Sequence, residues 1–121
     1  MALDAALAAS PAAPALPRLA YISHPLGGAP RLNRRRIRRI CATVVREGVL
    51  PVAPQLLLPC FLTYGRDLEP ELGCRLAFLA RCDEVRVFAD AGVTPGMTQE
   101  ITQARLHGIP VRYYHDLPEP L

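Results

Sequence analysis

Four short apolar runs alternate along the chain with three longer segments whose apolar residues recur every three or four positions. The runs are typical of strands buried in a parallel sheet and cover residues 18–23, 49–53, 84–89 and 109–114. The helical spacing is carried by Ile37, Ile40, Cys41, Val44 and Val45, then Leu68, Leu72, Leu76 and Leu79, then Met97, Ile101 and Ala104. The proline-rich residues 54–65 are predicted to form a loop. The predicted order is βαβαβαβ.

Residues with known capping preferences mark the ends of the three predicted helices. Asn33 is placed to cap the first helix, because its side chain can accept a hydrogen bond from a free first-turn amide. Gly48 is expected to end that helix. Asp67 is the predicted cap of the second helix, and Thr94 followed by Pro95 predicts the start of the third.

The helices between successive strands are long enough to act as crossovers. Such connections imply parallel strands joined with right-handed geometry and helices on both faces of the sheet. The expected fold class is therefore α/β, a small Rossmann-like or flavodoxin-like three-layer sandwich with strand order 2-1-3-4. Ligands bind such a sheet outside the carboxyl ends of the first and third strands, where the strand order reverses. The expected site lies between the loops at residues 24–30 and 90–96.

Composition and length indicate one globular domain. The chain has 121 residues, half of them hydrophobic, and we expect a flexible Ala/Pro-rich tail at residues 1–17 followed by a single domain at residues 18–121. No apolar run approaches the ~20 residues that span a bilayer, and the tail lacks the basic start of a signal peptide. The four cysteines form no C-x-x-C pair and are expected to be reduced and buried, which predicts a cytoplasmic location.

The charged residues exclude some kinds of catalysis and bear on nucleic-acid binding. All fourteen basic residues are arginines, so Schiff-base catalysis and a P-loop lysine are excluded. The net charge of +3 does not by itself indicate nucleic acid. The arginine-rich residues 31–39 keep isoleucines at helical spacing and lack aromatic neighbours, which favours a solvated helix face over an RNA-binding surface. The three histidines are too scattered for a metal site, and neither a metal nor a cofactor is expected.

Glu100 is the strongest candidate for a chemical role. It comes three residues after Met97 and four before Ala104, so it shares the helix face that is predicted to pack on the sheet. It is also only about two turns from the helix start, which lies at the predicted cleft. A buried carboxylate without a partner is costly, so the alternatives are a side chain that leans into solvent or one that pairs with an arginine.

Two backbone features near the cleft are candidate anion sites. At the start of the last helix, the amides near Gly96 and Met97 and the hydroxyl of Thr94 favour a negatively charged group. A well-capped helix without a ligand is the alternative. In the loop that begins at His24, two consecutive glycines let the backbone approach a ligand closely. Tyr21, near the end of the first strand, points either into the core or into the cleft.

Four segments together resemble the nucleoside 2-deoxyribosyltransferase superfamily, which includes related nucleotide N-glycosidases. Their sequences are Tyr-Ile-Ser-His-Pro-Leu-Gly-Gly, Cys-Asp-Glu-Val-Arg-Val-Phe, Thr-Pro-Gly-Met-Thr-Gln-Glu-Ile-Thr-Gln-Ala and Gly-Ile-Pro-Val. The resemblance covers residues 19–114, is most specific in Gly-Met-x-x-Glu-Ile-x-x-Ala, and looks closest to a small branch found in phage and bacterial genomes. It implies a small-molecule nucleotide or nucleoside as substrate and a homo-oligomer as the assembly.

The resemblance also implies roles for particular residues. The residue that matches Glu100 is the nucleophile, which displaces the base and forms a glycosyl-enzyme ester, and the residue that matches Tyr21 positions it. Thr94 stands where nucleotide N-glycosidases carry a serine near the 5′-phosphate, which favours a phosphorylated substrate. Leu26 stands where those enzymes have a phosphate-binding arginine, and Arg31 can compensate for it.

The chain departs from the superfamily at its second acid. Relatives place a catalytic aspartate where this chain has Arg75, and the nearest acids are Asp67 and Glu71. Asp67 is therefore the third predicted catalytic residue. The expected substrate-binding residues are Ser23, His24, Gly27, Gly28, Arg31, Thr94, Gly96 and Met97. The predicted function is N-glycosidic bond cleavage or transfer on a (deoxy)nucleotide. The alternative is a nucleotide-binding or sensing module with the same pocket and no turnover.

Overall fold

The structure, a computed structural model, describes residues 16–63 and 66–115. Within these residues the strands are β1 (Leu19–Ser23), β2 (Leu50–Val52), β3 (Glu84–Phe88) and β4 (Val111–Tyr114). The helices are α1 (Pro30–Arg46), α2 (Pro54–Leu57), α3 (Leu68–Leu79) and α4 (Pro95–Leu106), and a 3-10 turn covers Leu58–Cys60.

Most of the predicted tail and the end of the predicted domain lie outside the residues that the structure describes. Residues 1–15 and 116–121 lie outside the described residues, so the division into a tail and one domain stays a prediction. Within the described residues, no helix is long and apolar enough to cross a membrane. The cysteines are free thiols; Cys82 is buried, Cys41 and Cys74 are half-buried, and Cys60 is exposed.

The strands form a parallel sheet in the order β2-β1-β3-β4, which confirms the predicted α/β fold class and the 2-1-3-4 order. In the register of the sheet, Leu19 pairs with Leu50 and Tyr21 pairs with Val85, so β1 lies between β2 and β3. The strand order reverses between β1 and β3, and the loops that follow these two strands therefore meet at the same edge of the sheet.

Alternate residues of β1 enter two cores, one on each face of the sheet. Tyr21 belongs to a cluster that includes Leu79 of α3 and residues of α4. Ala20 and Ile22 point the other way and pack with Ile40 of α1. This period-two alternation within one buried strand places helices on both faces and gives the three-layer sandwich. The arginine run lies on α1, where three of its arginines are exposed and three are half-buried, so only half of the run is fully solvated.

Helix α1 begins earlier than the sequence predicts. Its first residue is Pro30 and its cap position is Ala29, so the expectation that Asn33 caps this helix is wrong. Proline is favoured at a first helical position because its missing N–H would have no intrahelical partner there. Asn33 is instead buried inside the helix, where its Nδ2 donates to the carbonyl of Leu26 at 2.9 Å and that of Gly27 at 3.4 Å. The asparagine therefore braces the loop after β1.

Replacing Asn33 with alanine is expected to lower the free energy of unfolding by about 1 kcal/mol, because the loop carbonyls lose their donor. Urea unfolding measures this change. Thr43→Ala is the matched control, since the Thr43 hydroxyl donates only within α1, to the carbonyl of Arg39 at 3.1 Å. The control is expected to change stability by less than about 0.5 kcal/mol. Equal losses in the two variants would contradict the bracing role.

The proline-rich segment after β2 is partly helical, so the predicted loop at residues 54–65 is wrong over its first half. Pro54 begins α2 and Pro59 lies early in the 3-10 turn, positions at which a missing N–H is tolerated. The short helix buries Gln55, whose Nε2 donates to the carbonyls of Ile22 at 3.1 Å and His24 at 3.4 Å. Helix α2 is thereby tied to the carboxyl end of β1.

The cap positions of α3 and α4 are those predicted, but their bonding differs. The Thr94 hydroxyl accepts from the amide of Met97 at 3.2 Å, which confirms the predicted cap of α4. Asp67 occupies the cap position of α3 without capping it, because its Oδ2 accepts from the amide of Thr63 at 2.8 Å. The predicted side-chain cap at Asp67 is therefore wrong, and this carboxylate bonds to the preceding turn.

Candidate active site

A pocket of about 530 Å³ opens at the carboxyl ends of β1 and β3. Its position is the one that the reversal of strand order predicts for a ligand site. The loop after β1, helix α2, one face of α3 and the start of α4 form its walls. The lining residues are His24, Leu26, Gly27, Gln55, Leu68, Glu71, Leu72, Arg75, Thr94, Pro95, Gly96, Met97, Gln99 and Glu100.

Glu100 lines this pocket although its side chain is almost entirely buried, with 2% of the residue exposed. Its Oε1 accepts a hydrogen bond from the Ser23 hydroxyl at 2.9 Å, and its Oε2 accepts one from the Tyr21 hydroxyl. Arg75 Nη1 lies 3.1 Å from the same Oε2. The carboxylate is thus turned inward, as the helical spacing predicts, and an arginine is its ionic partner.

Burial determines the acidity of this cluster. It raises the pKa of the Glu100 carboxyl above its ordinary value, and the bonds from Tyr21, Arg75 and Ser23 offset part of that rise. Burial, together with the neighbouring Glu100 charge, raises the pKa of the Tyr21 hydroxyl well above its usual range. Tyr21 therefore keeps its proton and acts as a donor. Such a perturbed carboxyl in a cleft is typical of a functional site.

Arg75 bridges the two carboxylates of the pocket. Its Nε lies 2.6 Å from Glu71 Oε1, one turn earlier on α3, and its Nη1 reaches Glu100 on α4. Burial lowers the pKa of Arg75, but the charges of Glu100 and Glu71 outweigh burial and leave it above its ordinary value. The guanidinium lies beside Gly96, where an added Cβ atom would be 3.4 Å from both terminal nitrogens. Through its pair with Glu100, Arg75 ties α3 to α4.

The start of α4 can hold an anion. Thr94, Gly96 and Met97 all line the pocket. Pro95 has no N–H, and the amides of Met97 and Thr98 bond to Thr94, so Gly96 supplies the first-turn amide that is left for a ligand. The helix dipole is positive at this end. The Arg75 guanidinium adds a full positive charge beside Gly96. The pocket thus combines a place for an anionic group with the buried Glu100 carboxylate.

A family model for a domain of unknown function, DUF7768, matches residues 18–114. This chain belongs to the DUF7768 family. The matched range contains the whole pocket lining, from His24 to Glu100. A search of curated proteins finds no match.

Several solved structures share the fold of this DUF7768 domain at low sequence identity. The 2-desoxiribosyltransferase from Leishmania mexicana has a TM-score of 0.64 at 17% identity, over 86% of this chain and 68% of that one. The 2-deoxyribosyltransferase from Bacillus psychrosaccharolyticus has a TM-score of 0.67 at 13% identity, over 85% and 76%. The CMP N-glycosidase BcmB from Clostridium botulinum has a TM-score of 0.56 at 13% identity, over 81% and 71%. The resemblance in the sequence is confirmed for the fold, whereas the phage and bacterial branch, the homo-oligomer and the cytoplasmic location stay predictions.

The DUF7768 domain brings most of the predicted site residues into one place. Tyr21 and Ser23 contact the Glu100 carboxylate, and neither belongs to the pocket lining. The predicted substrate-binding residues that do line the pocket are His24, Gly27, Thr94, Gly96 and Met97. Their roles toward a substrate stay predictions, but their shared location follows from the topology, since they come from the loop after β1, the loop after β3 and the first turn of α4.

Besides Tyr21 and Ser23, three further predicted site residues lie outside the pocket lining. Gly28 is exposed with φ +86°, and Arg31 is exposed on α1. Asp67 is bonded to the amide of Thr63, and Glu71 lines the pocket instead. Asp67 does not reach the pocket because it precedes the first residue of α3. Its side chain therefore does not share the helical direction that carries Glu71 into the pocket.

Arg75 and Gln55 line the pocket and are absent from the predicted set. Arg75 had a signal in the sequence, because it comes four residues after Glu71 and a chain without lysine has only arginine to neutralise a buried carboxylate. Gln55 had none, because the segment that contains it was expected to be an irregular loop. Its position depends on α2 and on the carbonyls at the end of β1.

Proposed function

We propose that this DUF7768 domain cleaves or transfers the N-glycosidic bond of a nucleotide, with Glu100 as the nucleophile. One observation carries the proposal, namely a deeply buried carboxylate that lines a pocket and is held by a tyrosine, a serine and an arginine. Burying a charge is costly, and Glu100 differs from the buried Glu84–Arg86 pair because its carboxylate also lines a pocket, where a ligand can meet it. The fold shared with two deoxyribosyltransferases and a CMP N-glycosidase supports this chemistry by analogy.

In the proposed reaction, a carboxylate oxygen of Glu100 attacks C1′ of the sugar. The C1′–N bond breaks, its electron pair goes to the base nitrogen, and a glycosyl ester of Glu100 forms. Water then attacks C1′ with loss of a proton and releases the sugar phosphate, or a second base attacks and gives a new nucleotide. Both routes regenerate the carboxylate. Tyr21 and Ser23 are the proposed positioning residues, since their hydroxyls donate to different oxygens of the carboxylate and so orient its plane.

The start of α4 is the proposed site for the 5′-phosphate. Thr94, Gly96 and Met97 would contact it, and the nearby Arg75 guanidinium supports a negatively charged group there. His24 and Gly27 are the proposed further contacts, because both line the same pocket. The pocket volume of about 530 Å³ lies within the usual range for small-molecule sites and suits a mononucleotide.

A second candidate function is a nucleotide-binding or sensing module. The ion pair between Arg75 and Glu100 favours it, because a guanidinium 3.1 Å from Oε2 competes with the sugar for that oxygen. The replacement of the superfamily's aspartate by Arg75 points the same way. Such a module would keep the pocket and the anion site and would have lost turnover.

A nucleotide panel separates the two functions. The panel pairs ribo- and deoxyribonucleoside 5′-monophosphates with the corresponding nucleosides and includes purine, pyrimidine and pyridine bases. Free base is measured by liquid chromatography and binding by calorimetry. Base release is expected, with kcat/KM at least about 10-fold higher for monophosphates, because a phosphate gains charge-assisted hydrogen bonds. Binding without release would support the module, and absence of both would contradict both functions.

A further inference from the structure

The pocket offers a nucleophile, but its described lining offers no side chain arranged to protonate a departing base. The titratable side chains in that lining are His24, Glu71, Arg75 and Glu100. Ordinary purine and pyrimidine bases leave as anions unless they receive a proton, and a positioned general acid contributes about 10²–10⁴-fold to such a step. The class of substrate therefore depends on whether one of these four groups can act as the acid.

Each of the four groups has another role or contact that conflicts with protonating the base. Glu100 is the proposed nucleophile, and the Arg75 guanidinium does not release a proton in proteins. Glu71 meets that guanidinium at 2.6 Å as an ionised carboxylate, which only accepts hydrogen bonds. His24 Nδ1 lies 2.7 Å from the carbonyl of Pro25, so the ring hydrogen belongs on Nδ1 and the neutral ring has none on Nε2.

The charge of the pocket favours a base that is already positive. Two carboxylates, Glu71 and Glu100, face one guanidinium, Arg75, so the described lining has a single net negative charge when His24 is neutral. In a partly buried site this charge attracts a cationic ring more strongly than it would in water. A quaternised ring nitrogen accepts the electron pair of the breaking bond and becomes neutral, so it needs no proton.

We propose that the substrate is a nucleotide whose base is a quaternised nitrogen heterocycle of the pyridinium type, an inference that rests on the function proposed above. Glu100 attacks C1′, the C1′–N bond breaks, and its electron pair neutralises the ring nitrogen as the base departs. Water then attacks C1′ of the ester, which releases the sugar phosphate and one proton to solvent and restores the carboxylate. No acid, oxidant or co-reactant other than water takes part.

The test compares bases that differ in charge. GMP and N7-methyl-GMP share the phosphate, the sugar and the ring system, and the methyl group makes the second base cationic; nicotinamide mononucleotide supplies a pyridinium. After subtraction of release without protein, the faster cationic nucleotide is expected to have a kcat/KM at least about 100-fold above that of GMP. A smaller ratio with measurable release overturns the inference and leaves the proposed function standing. No release from any of the three overturns the inference, and the wider nucleotide panel then decides the proposed function.

Variants at one position test the missing acid directly. Arg75→Met is the matched control, because it removes the guanidinium and its charge without supplying an acid. Arg75→Asp supplies a carboxyl on α3, and its ratio between the cationic nucleotide and GMP is expected to be at least about 10-fold below that of Arg75→Met. A folded aspartate variant with the ratio of the methionine variant would contradict the inference, as would selective loss of GMP release in His24→Gln. If the aspartate variant does not fold, the comparison in the unmodified protein decides alone.

Discussion

Replacing Glu100 with glutamine is expected to lower kcat for base release by about 10⁴-fold or more, because the amide oxygen cannot form the glycosyl ester. Glutamine has the shape of glutamate, and its oxygen can still accept from the Ser23 or Tyr21 hydroxyl. The pocket should therefore persist, and the dissociation constant of the nucleotide is expected to change by less than about 3-fold. Steady-state kinetics and calorimetry on the same preparation measure the two quantities.

Glu84→Gln is the matched control for this change. Glu84 is also a buried carboxylate paired with an arginine, with Oε1 3.2 Å from Arg86 Nη2, but it lies on β3 and outside the described pocket lining. Its replacement imposes a similar folding cost without touching the proposed nucleophile, and kcat is expected to stay within about 3-fold of the unmodified protein. If Glu100→Gln kept a tenth or more of the original kcat, Glu100 would not be the nucleophile.

Tyr21→Phe is expected to move the acidic limb of the pH–rate profile to higher pH. The Tyr21 hydrogen bond is the leading influence that lowers the pKa of Glu100 against the effect of burial, so its loss raises that pKa further. Activity requires the ionised carboxylate, which is lost as the pH falls through its pKa. A higher pKa therefore removes activity at a higher pH, and kcat on the acidic side is expected to fall about 10- to 100-fold.

The position of the acidic limb of the pH–rate profile distinguishes a raised Glu100 pKa from a general disruption of the structure. Phenylalanine fills the same space in the core cluster around Tyr21, so the folded structure should be kept, and kcat should recover partly as the pH rises. Tyr114→Phe is the matched control, because Tyr114 stacks on Phe88 and lies outside the described pocket lining. An acidic limb that stays in place in Tyr21→Phe, or moves in Tyr114→Phe, would show that Tyr21 does not govern the ionisation of Glu100.

Glu100 and the two nearby acids show what local sequence pattern can predict about the site and what it cannot. Spacing along one helix was enough to place Glu100 on the buried face with Met97 and Ala104, because residues three and four apart lie on one side of a helix wherever it packs. The same rule could not choose between Asp67 and Glu71 as the acid nearest the pocket. That choice depends on where α3 begins, and helix starts are decided by competing caps that sequence separates poorly.

The sequence by itself determined the order of the strands and the three long helices, the parallel sheet, the edge at which its loops meet, and the inward face of Glu100. These features follow from short-range periodicity and from the handedness of crossovers, which do not depend on particular contacts. Only the tertiary structure decided that Arg75 bridges Glu71 and Glu100, and that Asn33 and Gln55 brace the end of β1. Most of these contacts join separate elements, and their geometry exists only after the helices have packed on the sheet.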